Sequence, residues 1–267
     1  MSQHSEFDAW NAAQSYEHYM GRWSRKIAEG FIDWLAPPEN ADWLEIGCGT
    51  GALTKSVLAT CVPRSILATD RSADFVAHAR QDIDDARARF EVADAVDLPF
   101  KNASVDIVTS ALAMNFIPDI QQALSEMRRV LRPGGILSFY VWDYPGGGMG
   151  FIEEFWEAAA EIDPEAAALN ESSRFPFCTI DGLEQICREA GIPEAKVAPI
   201  EIETVFPDFE AFWHPFTLGA GPAPGYCNNL PAEKRQALKQ HLAGKLDTGG
   251  KVILPARAWA VSGGWLS

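Results

Sequence analysis

Residues 43–51, Trp-Leu-Glu-Ile-Gly-Cys-Gly-Thr-Gly, constrain the fold more than any other stretch of this chain. An apolar run leads into three alternating glycines, Gly47, Gly49 and Gly51, and a helix is expected at about residues 50–59. Because glycine has no Cβ atom, this backbone can adopt positive φ and approach a ligand closely. The free N–H groups at the start of the helix point into the same space. The pattern therefore predicts a strand, a nucleotide-binding turn and a helix.

The spacing and charge of this turn favour one kind of nucleotide cofactor over another. Dinucleotide-binding turns have the pattern G-x-G-x-x-G and hold an anionic pyrophosphate. Here the pattern is G-x-G-x-G, and Glu45 places a carboxylate just before the glycines. A carboxylate suits S-adenosylmethionine, which has no phosphate and carries a cationic sulfonium and ammonium. A nicotinamide-dependent oxidoreductase is therefore disfavoured. The alternative to any cofactor is that the glycines serve only the tight packing of the turn.

The run E-I-G-C-G-T-G resembles the first motif of class I S-adenosylmethionine-dependent methyltransferases, and the resemblance covers almost the whole chain. The chain is similar to the small-molecule group that includes ubiquinone/menaquinone-biosynthesis methyltransferases. The resemblance implies an α/β fold: a seven-stranded, mostly parallel Rossmann-like sheet with helices on both faces. It also implies an antiparallel last strand beside strand five, and helical insertions that form a lid. S-adenosyl-L-methionine is the implied cofactor, with Glu45, Gly47, Cys48 and Gly49 in its binding turn.

Asp70 ends the second predicted strand, residues 65–69, and a helix is expected at about residues 72–85. The carboxyl ends of parallel strands line one crevice, so Asp70 can accept two hydrogen bonds from the ribose hydroxyls of an adenosine lying over the glycine turn. The alternative is an acid that only caps the following helix. The family usually has an apolar residue next, whereas Arg71 stands here. Stacking of its guanidinium on the purine would replace the apolar contact.

The resemblance assigns the rest of the adenine and methionyl contacts to the ends of the third and fourth strands. After strand three, at residues 89–93, Asp94 corresponds to the acceptor of the adenine amino group, and Ala95 leaves room for the purine edge. After strand four, at residues 105–110, backbone carbonyls near Ser110 and Ala111 would face the methionyl ammonium.

Two residues of the same region are interpreted differently. Asn115 follows strand four and would face the methyl acceptor. Asp106 lies near the start of that strand and is interpreted as a structural residue rather than a catalytic acid.

The first forty residues are expected to cover the cofactor. Apolar positions recur at helical spacing over residues 7–35, which predicts one or two helices ahead of the sheet. Residues 16–25 resemble the cofactor-covering helices of small-molecule methyltransferases. Arg22 would pair with the methionyl carboxylate and Tyr16 would cap the sulfonium end. For each of these two residues, surface or core packing is an equal alternative.

The remaining pattern predicts one domain over residues 1–267, with a cofactor half at residues 41–142. A Pro-Gly turn at residues 132–135 closes the fourth helix and leads into strand five, which ends at Trp142. Insertions at residues 143–178 and 206–250 would form the substrate lid. Outside the cofactor half, helices are predicted at residues 151–162, 179–190, 208–216 and 232–242, the last two separated by the Pro- and Gly-rich residues 219–225, and strands at 196–205 and 251–261.

Aromatic residues gather in and around the two insertions, where basic residues are few. They are Phe151, Phe155, Trp156, Phe175, Phe177, Phe206, Phe209, Phe212, Trp213, Phe216 and Tyr226. Such walls favour a small apolar or aromatic acceptor, with Asn115, Trp142 and Trp213 near it. The alternative is that the rings pack the insertions onto the sheet.

The transfer itself needs no catalytic triad. Displacement from a sulfonium depends mainly on orientation, because the cofactor already supplies an activated leaving group. His214 is the candidate base if the acceptor atom is an oxygen or carbon. A packed or surface histidine is the alternative reading of this residue.

Composition restricts the partners. A net charge of −15 and a pI near 4.7 argue against nucleic acid as the acceptor. Five cysteines without a Cys-x-x-Cys pair indicate reduced thiols and no metal site. No apolar run approaches a membrane span, so a cytoplasmic protein is expected, and the oligomeric state is open. The competing function is a non-catalytic relative that binds the cofactor or a metabolite as a sensor or regulatory subunit.

Overall fold

The fold is seen in a computed structural model that describes residues 17–219 and 221–265. The strands are β1 (Asp42–Ile46), β2 (Ser65–Asp70), β3 (Ala88–Val92), β4 (Val105–Ala111), β5 (Leu131–Trp142), β6 (Lys196–Phe206) and β7 (Val252–Gly263). The helices are α1 (Arg22–Leu35), α2 (Ala52–Thr60), α3 (Ala73–Asp82), α4 (Ile120–Val130), α5 (Gly150–Ile162), α6 (Glu171–Arg174), α7 (Ile180–Glu189), α8 (Phe209–Trp213), α9 (Pro222–Asn229) and α10 (Ala232–Leu246). A π-helical turn, Glu17–Gly21, precedes α1, and Tyr16 lies outside the described residues.

The seven strands form one sheet in the order β3-β2-β1-β4-β5-β7-β6. β1 pairs in parallel with β2 and β4, β2 with β3, and β4 with β5, whereas β7 runs antiparallel to β5. The predicted fold class, including the antiparallel last strand beside strand five, is confirmed. The chain reverses its strand order between β1 and β4, and ligands of open α/β sheets bind at such a switch point.

Central strands are apolar because helices cover them. Leu44 of β1 and both Ile107 and Val108 of β4 are fully buried. Strands buried on two faces carry continuous apolar runs, which is the pattern at residues 107–108 and, apart from Glu45, at residues 43–46. This core fixes the carboxyl ends of β1, β2 and β4 beside one another.

Ion pairs lock the opposite end of the sheet. The carboxylate of Asp106 accepts the backbone N–H of Asp42 at 2.8 Å and a hydrogen bond from Arg132 at 2.6 Å. Arg132 also contacts Asp42 at 3.1 Å, and Arg64 contacts the same carboxylate at 2.7 Å. The Arg132 guanidinium and the Asp42 N–H hold the pKa of Asp106 below its usual range, although burial acts in the other direction. Asp106 therefore has the structural role predicted for it.

The Pro-Gly segment enters the sheet as a bulge. Val105 pairs with Leu131 and Ile107 pairs with Ile136, so residues 132–135 stand opposite Asp106 alone. A Cβ atom on Gly135 would lie 2.8 Å from the Asp106 carbonyl oxygen, which explains the glycine. The chain thus turns where the sequence predicts, inside the assigned strand rather than before it.

The chain divides into two compact units. Among the described residues, the sheet unit comprises 23–142, 177–200 and 258–265. The insert unit comprises the described residues 17–22, 143–176, 201–219 and 221–257. Strands β6 and β7 contribute residues to both units. That the whole chain is one domain stays a prediction.

The insert unit departs from the sequence prediction in one helix. The sequence predicts no helix between residues 216 and 232, where residues 219–225 separate two helices, yet α9 begins at Pro222 and includes Pro224. Proline is tolerated in the first turn of a helix, where the backbone N–H has no helical partner. α8 ends at Trp213 and continues as a 3₁₀ turn, His214–Thr217. Among the described helices, none combines the length and the apolar character that crossing a membrane requires.

Candidate cofactor and active site

The three glycines of the first turn serve three different purposes. All have positive φ: 69° at Gly47, 53° at Gly49 and 86° at Gly51. A Cβ atom on Gly47 would lie 2.4 Å from the Cβ of Ala113, and one on Gly51 would lie 2.6 Å from Ile83 Cδ1. A Cβ atom on Gly49 would meet nothing within 4 Å. Gly47 and Gly51 therefore permit close packing, whereas Gly49 faces open space.

Asp70 connects the end of β2 to this turn. Its Oδ2 accepts the N–H of Gly49 at 3.0 Å, and its Oδ1 accepts the N–H of Ser72 at 2.8 Å. Burial raises the pKa of Asp70, although these two N–H groups favour its charged form. Ser72, not Asp70, caps α3 with its hydroxyl, which accepts from Phe75 N–H. The carboxylate is thus held against the glycine turn at the edge of the open space over Gly49.

Glu45 is a completely buried carboxyl group. Its Oε2 accepts a hydrogen bond from the Thr54 hydroxyl of α2 at 2.5 Å, and its Oε1 has no partner among the described residues. Burial raises the pKa of Glu45 to about 8, against the opposing effect of Thr54. Thr54 is a contact that the sequence analysis missed, because a threonine within a helix carries no signal of a buried partner. An orphaned buried oxygen calls for a ligand or water.

Cys48 and Arg71 are predicted cofactor-binding residues whose side chains have different surroundings. The Cys48 side chain packs in an apolar cluster with Val76, Ala79 and Phe90, so a ligand contact there would come from its backbone. Its N–H donates to the Thr69 carbonyl at 2.8 Å. Arg71 has an exposed side chain, and its stacking on a purine stays a prediction.

The end of β4 approaches the glycine turn through Ala113, as the short distance to Gly47 shows. Leu112 adopts φ of 57°, which is unusual for a bulky residue and marks a backbone held in place by its surroundings. Its N–H donates to the Tyr140 carbonyl of β5 at 2.9 Å. The strained Leu112 is a second feature that the sequence does not signal.

Two buried polar side chains near the end of β4 lack partners among the described residues. Asn115 lies in a 3₁₀ turn, is 6% exposed, and its Nδ2 donates no hydrogen bond there. The Ser110 hydroxyl is fully buried and is likewise without a partner. Ala111, the last residue of β4, is half-buried. The orphaned amide of Asn115 is consistent with the acceptor contact predicted for it.

The loop after β3 carries the predicted adenine contact. Asp94 is exposed, and its Oδ1 accepts the N–H of Val96 at 3.2 Å. The Asp70 carbonyl oxygen accepts the N–H of Ala93 at 3.1 Å, which places this loop beside the end of β2. Ala95 is half-buried. The sheet unit thus brings together the ends of β1, β2, β3 and β4, where ten of the twelve predicted cofactor-binding residues lie.

The remaining predicted residues fall elsewhere. Trp142 belongs to the sheet unit, is 2% exposed, and pairs with Ala258 of β7. In the insert unit, the Arg22 guanidinium lies 4.7 Å from the centre of the Phe206 ring, and burial lowers its pKa. Trp213 is buried, whereas His214 is exposed, which is the surface alternative. A catalytic role for His214 stays a prediction.

Most aromatic residues of the insert unit pack against one another. Phe155 and Phe216 stack with ring centres 4.4 Å apart, and Tyr19 meets Phe151 and Phe216 edge-on at 5.7 Å. Phe151, Phe155, Trp156, Phe206, Phe212 and Phe216 are all almost fully buried. These rings pack on one another within the insert unit, and a contact of any of them with the acceptor stays a prediction.

The residues present fit S-adenosylmethionine on two observations. The space beside Gly49 is open, and a Cβ atom at this position would occupy part of it. The orphaned Oε1 of Glu45 lies in the first motif, next to the turn. Asp70, already anchored to Gly49, adds a carboxylate at the edge of that space.

Comparisons with known proteins agree with this site. A family model described as a methyltransferase domain matches residues 44–139. Malonyl-(acyl-carrier protein) O-methyltransferase of Pectobacterium atrosepticum is 30% identical over 198 residues, 74% of this chain and 70% of that protein. The enzyme of the same name from Hahella chejuensis is 32% identical over 126 residues, 47% of this chain and 45% of that protein.

Two more similarities extend the comparison. A ubiquinone/menaquinone biosynthesis C-methyltransferase of Dinoroseobacter shibae is 31% identical over 149 residues, 53% of this chain and 58% of that protein. The matches to it and to the Hahella chejuensis protein thus span about half of each relative's length. A solved Haemonchus contortus phosphoethanolamine N-methyltransferase 2, in complex with S-adenosyl-L-methionine, shares the fold with a TM-score of 0.61 at 16% identity. That alignment covers 100% of this chain and 60% of the other.

The chain therefore belongs to the class I S-adenosylmethionine-dependent methyltransferases, as the glycine turn, the strand order and the similarity over two thirds of a relative require. S-adenosylmethionine is the methyl donor of this family, and the predicted cofactor is confirmed. The role of each predicted site residue stays a prediction.

Proposed function

We propose that this protein transfers a methyl group from S-adenosylmethionine to a small acceptor molecule. The observation that carries the proposal is the open space over Gly49, bordered by an Asp70 carboxylate that the Gly49 N–H fixes at 3.0 Å. At Gly47 and Gly51 the corresponding space is occupied by the side chains of Ala113 and Ile83.

Each motif residue has a role in this proposal. Asp70 accepts the ribose hydroxyls, since each carboxylate oxygen can accept a second hydrogen bond. Glu45 faces the cationic end, and Asp94 accepts the adenine amino group. When bound, S-adenosylmethionine supplies an activated methyl group on a sulfonium leaving group. The protein supplies orientation and exclusion of water, which can account for a large part of the barrier reduction.

The proposed acceptor is a small, largely apolar or aromatic molecule rather than a nucleic acid. The net charge of −15 would repel a phosphate backbone. The names of two relatives, a malonyl-(acyl-carrier protein) O-methyltransferase and a ubiquinone/menaquinone biosynthesis C-methyltransferase, support oxygen or carbon as the methylated atom, and the second supports a small acceptor. Asn115 would donate to an oxygen of the acceptor, and Trp142 would contribute apolar surface.

A labelled-methyl assay tests the proposal. The purified protein is incubated with S-adenosylmethionine carrying a tritiated methyl group and a panel of phenols, quinols, malonyl thioesters, small amines, peptides and RNA. We expect label in a small molecule, and none in the same panel with the Gly49→Val variant. Label found only in RNA or peptides would overturn the acceptor proposal. Binding of S-adenosylmethionine without any transfer would favour the non-catalytic relative instead.

A further inference from the structure

The loop that carries Asp94 is held by side chains of α4 rather than by its own apolar core. Within residues 94–102, all of which the structure describes, Leu98 is the only buried side chain. Ala103 follows with a positive φ of 51°. A segment with one buried anchor and exposed neighbours needs other contacts to keep one conformation.

Arg129 supplies most of these contacts. Its guanidinium donates to the carbonyl oxygen of Leu98 at 2.8 Å, to that of Phe100 at 2.6 Å, and to the Asn102 side-chain oxygen at 2.9 Å. The Arg129 carbonyl oxygen accepts the N–H of Ala103 at 3.0 Å. The Arg129 side chain thus holds two backbone carbonyls of the loop, and it holds the end of the loop through the side chain of Asn102.

Two neighbours on the same helix face complete the arrangement. Glu126 accepts the N–H of Leu98 at 2.8 Å and pairs with Arg129 at 2.6 Å, which holds the guanidinium in place. Gln122 donates to the Val96 carbonyl at 3.2 Å. The three residues are spaced i, i+4 and i+7, so they lie on one side of α4. The other side of α4 is anchored in the core by Ala123, Leu124, Met127 and Val130.

The loop begins at Asp94, the predicted adenine contact. Val96, whose carbonyl Gln122 holds, donates its N–H to Asp94 Oδ1 at 3.2 Å. Asp97 N–H donates to the Asp94 carbonyl at 3.2 Å. The orientation of the Asp94 carboxylate is therefore set by the same short segment that α4 fixes.

We infer that Arg129, with Glu126 and Gln122, is a positioning residue that sets discrimination for adenine by fixing the loop of Asp94, without touching the cofactor. The inference rests on the proposed function, because it takes Asp94 as the acceptor of the adenine amino group. Inosine replaces that amino donor with a carbonyl oxygen, which an aspartate carboxylate repels. A correctly placed Asp94 therefore prefers adenosine, and a loosened loop loses that preference.

The test measures binding of S-adenosylhomocysteine and S-inosylhomocysteine by calorimetry to the wild type, Arg129→Met and the matched control Arg128→Met. Arg128 is the adjacent, exposed arginine, which lies against Trp265 rather than the loop. We expect the wild type and Arg128→Met to prefer the adenosyl compound by about tenfold or more, the effect of one charge-assisted hydrogen bond. In Arg129→Met the two affinities should converge, and the Val96 and Asp97 amides should exchange hydrogen faster.

The outcomes separate the inference from the proposed function. A wild type that binds neither compound contradicts the proposed function itself. An Arg129→Met variant that keeps the wild-type ratio overturns the inference, whether its absolute affinities fall or not, because a merely structural loss affects both compounds equally. If Arg129→Met does not fold, Arg129→Lys is decisive, since lysine cannot reach all three oxygens at once and should give an intermediate ratio.

Discussion

The Oδ2 atom of Asp70 accepts the backbone N–H of Gly49 at 3.0 Å, so the end of β2 is joined directly to the glycine turn after β1. The two residues are 21 positions apart in sequence. Their hydrogen bond places a carboxylate beside the one glycine of the turn that faces open space. The same hydrogen bond therefore fixes the backbone of the glycine turn and the position of the Asp70 carboxylate beside it.

Asp70→Asn should weaken binding of S-adenosylmethionine about tenfold or more, because a charged acceptor of hydrogen bonds is lost. The asparagine carbonyl can still accept the Gly49 N–H, so the turn should survive. Equilibrium dialysis with labelled cofactor measures the effect. Asp74→Asn, which alters an exposed acid in the first turn of α3, should bind as the wild type does. If Asp70→Asn and Asp74→Asn bind S-adenosylmethionine with equal affinity, Asp70 does not contact the cofactor.

Gly49→Val should fold and fail to bind the cofactor. The space around a Cβ atom there is open, so the folded protein loses only the energy of a strained positive φ, about 1–2 kcal/mol. The matched control is Gly249→Val, which has φ of 76° and equally open surroundings in the insert unit. Circular dichroism and calorimetry should show two folded variants of which only the control binds. Normal binding by Gly49→Val would mean that the ligand lies elsewhere.

Gly47→Ala should be far more destabilising than Gly49→Ala. A Cβ atom on Gly47 would lie 2.4 Å from Ala113, which forces the strained segment around Leu112 to move. We expect a difference in the free energy of unfolding of about 1–3 kcal/mol, typical of overpacking. Urea unfolding of the two variants measures it. Equal free energies of unfolding would show that the segment after β4 moves at little cost and that the close packing of Gly47 against Ala113 is unimportant.

Glu45→Gln should remove a pH dependence of stability. The folded protein keeps the Glu45 proton up to a pKa of about 8, while the unfolded chain releases it near 4.5. Stability from this group is full below pH 4.5 and is lost as the pH rises towards 8, because the unfolded state then binds fewer protons. The free energy of unfolding of Glu45→Gln should therefore exceed that of the wild type by an amount that grows between pH 5 and 8.

That growth should be on the order of 3 kcal/mol, given 1.36 kcal/mol per pKa unit. The amide oxygen of glutamine can still accept from Thr54, so packing is preserved. Glu91→Gln, an exposed change on β3, is the control and should follow the wild type at each pH. Parallel stability curves for Glu45→Gln and the wild type would contradict a neutral, buried Glu45.

The sheet unit could be predicted closely because its signals are local. The G-x-G-x-G turn, the acid at Asp70 and the Pro-Gly segment each determine a backbone conformation at their own positions. Asp106 was assigned a structural role, and its contacts with Asp42 and Arg132 explain why. The mostly parallel sheet and the antiparallel last strand beside strand five followed from the resemblance, not from any pairing visible in the residues.

The missed features depend on contacts between distant parts of the chain. Glu126 and Arg129 look like an ordinary exposed helix pair, and only the folded loop shows that Arg129 holds the Leu98 and Phe100 carbonyls. α9 is not among the predicted helices because its prolines, Pro222 and Pro224, indicate a break between helices, although prolines suit a first helical turn. The sequence does not separate aromatic rings that would line an acceptor pocket from rings that pack on one another, as Phe155 and Phe216 do.

Hydrogen exchange with and without S-adenosylhomocysteine tests the central claim, that the cofactor binds over the glycine turn at the ends of β1, β2 and β4. Peptides covering residues 44–53, 68–73 and 108–116 should exchange more slowly when the compound is bound. A peptide over α10, Ala232–Leu246, serves as the reference and should change little. Slower exchange at the three sheet-end peptides is the result that the account predicts. Protection that is confined to other segments, with residues 44–53 unaffected, would contradict it.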